Sequence, residues 1–332
     1  MVKSYASHLD RLTMQPNKVM AYKDDFVPEE AWRVILEVFG SETRSFLYGH
    51  TFLLLKPELL ARRLSWKALS FLADQGFAPI AQVPVPVSRN AAHHMWRFQW
   101  NAATTDRVVL TNMVNAKSDS LLVVLRDGNP GPVPASVKLW KLKGSAHAER
   151  RTEQHLRTVV RMHNRMLGFV HTPDEPADLV RELGILMDPV AMGLLLEETR
   201  DAAKQSASLC MDKSWRVCTA AEDQTEAHSV HPGEVVERLG SAMRRSNGAR
   251  AVLHAFSSGD RLPLSSVLAG LGEVGIGRCS WDALSVAAEL IQHDRVGATA
   301  MLDAKAVGEV NERWAAAGAG LQDITCEVLC NA

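Results

Sequence analysis

His171 is the residue whose type and setting could do chemistry. It follows Gly168-Phe169-Val170 and precedes Thr172-Pro173-Asp174, a run of cap and turn residues. Ala177, Val180 and Leu183 then recur at helical spacing. A histidine between a buried turn and a helix start can serve as nucleophile or proton carrier, because its free base is abundant near neutrality. A histidine that merely satisfies a hydrogen bond at a turn leaves the same local pattern. Cationic candidates are scattered along the chain. Lys56 ends the apolar run Phe52-Leu53-Leu54-Leu55, where surface snorkelling is the ordinary explanation. Lys138, Lys141 and Lys143 share the segment 137–143 with Trp140. Arg150, Arg151, Arg157, Arg161 and Arg165 form a basic cluster with His155 and His163, a pattern that usually marks a solvated face.

The elements that must position these groups can be read in order. Pro28-Glu29-Glu30 opens a helix with proline and acid in its first turn, and Gly40 stops it. Residues 52–55 read as a strand buried on both faces. Residues 64–73 read as an amphipathic helix, and 80–87 as a strand whose Pro84 and Pro86 confine it to an edge. A helix is expected over 90–100, carrying His93, His94, Trp96 and Trp100, a patch that core packing explains as well as ligand stacking does. Ser120 to Arg126 is the clearest strand, and 127–132 is a loop by its turn residues.

Composition sets the outer bounds. A chain of 332 residues suggests two or three domains. With 37 Lys+Arg against 38 Asp+Glu, bulk charge gives no argument for nucleic acid or membrane binding. No apolar run approaches the ~20 residues that span a bilayer. The first residues lack the apolar core of a signal peptide, and five cysteines without framework spacing fit a reducing cytoplasm. Cys326 and Cys330, with Val328 between them, read as core thiols on a strand rather than half of a zinc site.

Residues 46–190 resemble nucleoside diphosphate kinase. The resemblance rests on Thr51-Phe-Leu-Leu-Leu-Lys56-Pro57, a strand ending in Lys-Pro. It rests further on the Gly76-Phe77 that opens the next strand, and on His171, Asp174 and Glu182 at the family's spacing, the glutamate eleven residues after the histidine. It implies an α+β, ferredoxin-like (βαββαβ) domain in a phosphotransferase, with phosphoryl passing from a nucleoside triphosphate to His171 and on to an acceptor. It assigns Glu182 to the imidazole's other nitrogen and Lys56 and Arg157 to the phosphates. Trp96 stands near the family's stacking tyrosine. Lys138 and Lys141 replace the family's phosphate-clamping arginine and threonine, and Mg²⁺ is implied with ATP or another nucleoside triphosphate. Hexamers or tetramers are usual for the family, so a homo-oligomer is implied too, although the fused segments could block those interfaces. Two positions depart. Gly168 stands where the family has an asparagine that contacts the sugar, and Thr172 where it has a glycine. The acceptor is therefore either a nucleotide or a specialised small molecule.

Outside that domain, residues 1–45 are expected to be a helical extension and 191–248 a helical linker region, with one short strand at 215–219. Residues 249–332 read as a small β-α-α-β-α-β domain, with strands at 251–256, 296–302 and 324–329. That order and the ending Ala315-Ala316-Ala317-Gly318-Ala319 weakly resemble the C-terminal domain of the bacterial ribosomal stalk protein. The exposed lysines with which that family docks its translation factors are largely missing here, so an oligomerisation or scaffold domain stands beside a protein partner docked through 249–332. A second reading follows: a diverged nucleotide-binding sensor or scaffold.

Overall fold

The computed structural model describes residues 4–202, 207–302 and 307–317. Strands β1 (His50–Leu55), β2 (Phe77–Val85), β3 (Ser120–Asp127) and β4 (Val170–His171) form one sheet in the order β2-β3-β1-β4. Every neighbouring pair is antiparallel. The protein is thus a mixed α+β structure, strongly helical around one four-stranded antiparallel sheet.

The sheet is covered on both faces, which is why β1 and β3 are continuous apolar runs. Leu53, Leu55, Leu121, Val123 and Leu125 face one core with the Ser65–Asp74 and Ala135–Lys143 helices. Phe52, Leu54, Leu122 and Val124 face the other, with the Val27–Phe39, Pro176–Leu186 and Pro189–Ala202 helices. β2, with Pro79 and Pro84, lies at an edge, where a sheet tolerates proline. Gly184 lets the Val27–Phe39 and Pro176–Leu186 helices approach closely: a Cβ there would lie 3.0 Å from both Ala31 Cβ and Val27 O.

Residues 5–22 are fastened by a buried carboxylate. Glu175 precedes the Pro176–Leu186 helix and is fully enclosed. It accepts hydrogen bonds from Thr13 Oγ1 (2.6 Å), Met14 N (2.7 Å), Gln15 Nε2 (2.6 Å), Lys18 Nζ (3.2 Å) and Trp314 Nε1 (3.0 Å). Asp178, one turn on, takes Lys18 Nζ at 2.5 Å and the Tyr22 hydroxyl at 2.6 Å. The chain's beginning and the Val307–Ala317 helix therefore meet at the start of the helix that follows His171.

Beyond residue 190, the expected strands that fall on described residues are not formed. Residues 215–219 lie within the Ala207–Asp223 helix, where Cys210, Ser214 and Cys218 are buried at four-residue intervals. Residues 251–256 lie within the Asn247–Ser258 helix. Ser246 accepts from Ala249 N as its N-cap, and Ala249, Val252 and Ala255 make its buried stripe. Both segments are short apolar runs that fit strand or helix equally by periodicity, and the helical stripe with its cap decides. No strand forms over 296–302, where Val296 is 96% exposed. The last expected strand, at 324–329 with Cys326 and Cys330, lies outside the described residues. Two of the three strands behind the stalk-protein resemblance are thus absent. The described residues from 232 onward form helices Pro232–Met243, Asn247–Ser258, Leu264–Gly272, Trp281–Leu290 and Val307–Ala317.

Candidate functional site

β4 is only two residues long, and its pairing sets the site. Leu54 lies opposite His171 and Leu55 opposite Val170. His171 therefore shares the face of Leu54, against which the Pro176–Leu186 helix packs. Glu182 on that helix meets the imidazole: its Oε2 lies 2.8 Å from His171 Nε2. The pair is largely enclosed, at 16% and 8% side-chain exposure. With the proton on Nε2 donated to the carboxylate, the Nδ1 lone pair is left for other work.

A tight turn delivers β4. Val170 N donates to Gly168 O at 2.6 Å, and Phe169 between them takes the left-handed conformation, φ +61°. Two contacts hold this uncommon geometry. Phe169 O accepts from Lys56 N at 3.0 Å, and Phe169 N donates to Glu58 Oε1 at 3.0 Å. The Lys56 ammonium meets the same Glu58 oxygen at 2.8 Å and lies over the Trp96 ring, 5.9 Å from its centroid. Trp96 in turn sets its ring edge-on to His171, with centroids 5.7 Å apart. The Arg89–Trp100 helix is kinked at Trp96 itself (φ −108°, ψ 15°), which places that ring. Trp100 contacts both Trp96 and His93. His93 also lines a separate cavity of about 850 Å³ with Arg89, Val108, Asn112 and Lys117.

Two more cations converge on the His171 segment. Lys143, the last residue of its helix, reaches Thr172 O at 3.4 Å and Asp174 Oδ1 at 3.3 Å. Burial holds its ammonium pKa below the usual value, and Asp174 opposes that shift only in part. Arg157 donates to Gly144 O at 2.8 Å and Val170 O at 3.5 Å. Burial pushes its guanidinium down to about 10, with Asp174 pulling up and Arg151 adding a smaller push down. Its Nε is enclosed without a partner.

Of the residues singled out from the sequence, His171, Glu182, Lys56, Arg157 and Trp96 are thus brought together. Thr172 is adjacent but wholly enclosed, its Oγ1 without a hydrogen-bond partner. Lys138 is not brought in: its ammonium binds Asp127 (2.5 Å) and Asn129 O (2.6 Å). Asp127 ends β3 beside the His50 end of β1, at the opposite end of the sheet from Lys56. Lys141 is exposed. Lys143 takes the place that the sequence reading gave to those two. Glu58 was missed, because an acid in the first turn after Lys56-Pro57 reads as an ordinary helix-start residue. Among the described residues no group of three His, Cys, Asp or Glu is placed to hold a metal ion. No helix among them is long and apolar enough to cross a membrane. No family model, no curated protein and no solved structure matches this chain.

Proposed function

We propose that the chain is a phosphotransferase of the nucleoside diphosphate kinase type, acting through phospho-His171. The hydrogen bond between His171 Nε2 and Glu182 carries the reading. Support also comes from the strand order β2-β3-β1-β4 in an all-antiparallel sheet, which is the order of a ferredoxin-like βαββαβ domain. The convergence of Lys56, Lys143 and Arg157 on the same segment adds to it.

Glu182 fixes the tautomer, and Nδ1 attacks the γ-phosphorus of a nucleoside triphosphate. The N–P bond forms as the bond from phosphorus to the bridging oxygen breaks, and the electron pair leaves on the nucleoside diphosphate. A second nucleophile then takes the phosphoryl group and restores the imidazole. Transfer of this kind asks chiefly for positioning and neutralisation of the equatorial oxygens, which three cations can supply. The carboxylates of this segment are engaged with Lys56, Lys143 and His171, so a Mg²⁺ would come in on the nucleoside triphosphate. Its chemistry would be charge neutralisation across the β- and γ-phosphates.

One observation favours a second reading, a nucleotide-binding sensor without turnover. The cations are already engaged: Lys56 with Glu58, Lys143 with Asp174, Arg157 with two backbone carbonyls. Incubation with Mg²⁺ and γ-labelled ATP separates the two. Acid-labile, base-stable label, absent from His171→Ala, is the expected result. Label that persists in that variant ends the phosphohistidine reading, and nucleotide binding without label establishes the sensor.

A further inference from the structure

Glu58 is fully buried, yet only one of its carboxylate oxygens is used. Oε1 takes both the Lys56 ammonium (2.8 Å) and Phe169 N (3.0 Å). Oε2 is enclosed with no hydrogen-bond partner. A buried carboxylate that spends one oxygen on two donors and none of the other is under-satisfied, and such groups are costly. Lys56 is held just as incompletely. Among the described residues its ammonium has Glu58 on one side and the Trp96 ring as its further partner, and a Cβ at Gly168 would stand 3.8 Å from Nζ. A compact ammonium on a flexible stem can leave such an arrangement for a stronger anion.

We propose that Glu58 is a positioning residue that keeps Lys56 in reserve, so that Glu58 and an incoming polyphosphate compete for the same ammonium. The identity of that anion rests on the phosphotransferase reading; the competition itself does not. In the resting chain Glu58 cancels the Lys56 charge and closes the turn that carries His171. When the polyphosphate arrives, Lys56 turns to it, and Glu58 keeps Phe169 N and thereby the turn. Affinity is lower than an unopposed lysine would give, and the site keeps its shape when empty. A carboxylate with a purely structural role would make a different prediction: its loss would weaken binding or leave it unchanged.

The test uses full-length protein, inorganic tripolyphosphate with Mg²⁺, and titration calorimetry in a His171→Ala background, so that phosphoryl transfer cannot contribute. Glu58→Gln keeps an acceptor for Phe169 N and removes the opposing charge. It should bind about tenfold more tightly, one unit charge no longer being opposed at close range. The gain should vanish when Lys56→Met is added, a combination that neutralises both partners of a buried pair and is commonly tolerated. Equal or weaker binding by folded Glu58→Gln overturns the proposal, as does a gain that survives Lys56→Met, or no tripolyphosphate binding by any variant. Should Glu58→Gln fail to fold, Glu58→Asp withdraws the charge by one methylene and must show a smaller gain; none would be equally decisive. A gain without phosphoenzyme in the wild type upholds the competition and rejects the transferase reading; phosphoenzyme without a gain does the reverse.

Discussion

On the proposed reading, removing the Glu182 carboxylate should slow phosphorylation of His171 while leaving the fold in place. Glu182 Oε2 lies 2.8 Å from Nε2, and both side chains are mostly shielded from water. As Nδ1 takes the phosphoryl group, positive charge develops on the ring, and the charge-assisted Nε2–H bond to the carboxylate strengthens into one between opposite charges. Such bonds contribute about 1.5–3 kcal/mol, roughly twice a neutral one, so the amide of Glu182→Gln should lose about half of that; at ~1.4 kcal/mol per factor of ten in rate, the cost should be about 4- to 12-fold. An amide can still orient the ring but cannot supply charge, so Glu182→Ala should be slower again, having lost orientation too. The assay is single-turnover formation of acid-labile label from γ-labelled ATP. Unfolding midpoints measured alongside show whether the fold persists. If Glu182→Gln forms label within about threefold of the wild-type rate, the carboxylate does not stabilise the transition state, and the argument from this pair fails.

Three further outcomes test the frame around the site. Glu175→Gln strips the charge from a buried carboxylate with five donors, and takes from Lys18 one of the two carboxylates that its ammonium touches. Urea unfolding should show a loss of about 3–5 kcal/mol, and a loss under about 1 kcal/mol would show that residues 5–22 are not held there. Burial alone would raise the Asp178 pKa, but the charge of Lys18 and hydrogen bonds from Lys18 and Tyr22 bring it below the ordinary 3.8. A depressed carboxylate contributes stability above its unfolded pKa and loses it as pH falls through the folded one. The unfolding midpoint should therefore drop below about pH 4, and the drop should be shallower in Asp178→Asn. Gly184→Ala puts a methyl 3.0 Å from Ala31 Cβ and Val27 O, and should destabilise by about 1–3 kcal/mol in the same unfolding assay; no change would mean that the two helices do not pack as described.

Much of the sheet could be read from the chain because burial on both faces writes itself as uninterrupted apolar residues. Leu53 and Leu55 serve one core, Phe52 and Leu54 the other. β4 carries no such signal in two residues, and what stood out instead was the turn and helix around His171. Past residue 190 the apolar runs are as short as strands, and only the phase of burial over two or more turns, as in Cys210-Ser214-Cys218, separates the states. The lysines show a different limit. Lys138, Lys141 and Lys143 lie on one short helix, so composition places all three near the site. Which one enters depends on where the helix ends beneath the Thr172 carbonyl. Glu58 was hidden for a related reason: its partner Phe169 lies 111 residues away, a contact no local pattern announces.

The two departures from the kinase pattern sort differently once they are placed. Gly168 stands beside the Lys56 ammonium, where a Cβ would lie 3.8 Å from Nζ. Thr172 turns its side chain inward and offers only its carbonyl, to Lys143. Neither change removes a cation from the His171 segment; the first removes what the family pattern would spend on a sugar, and the second fills a position that the pattern leaves to a glycine. On the proposed reading, recognition therefore rests on the phosphates, through groups that must first release Glu58 and Asp174. A site of that kind distinguishes polyphosphates by charge and chain length more than by base or ribose. The affinity ratio between ATP and tripolyphosphate should accordingly be close to one, whereas a ratio strongly favouring ATP would require a sugar or base contact that Gly168 and the enclosed Thr172 do not provide.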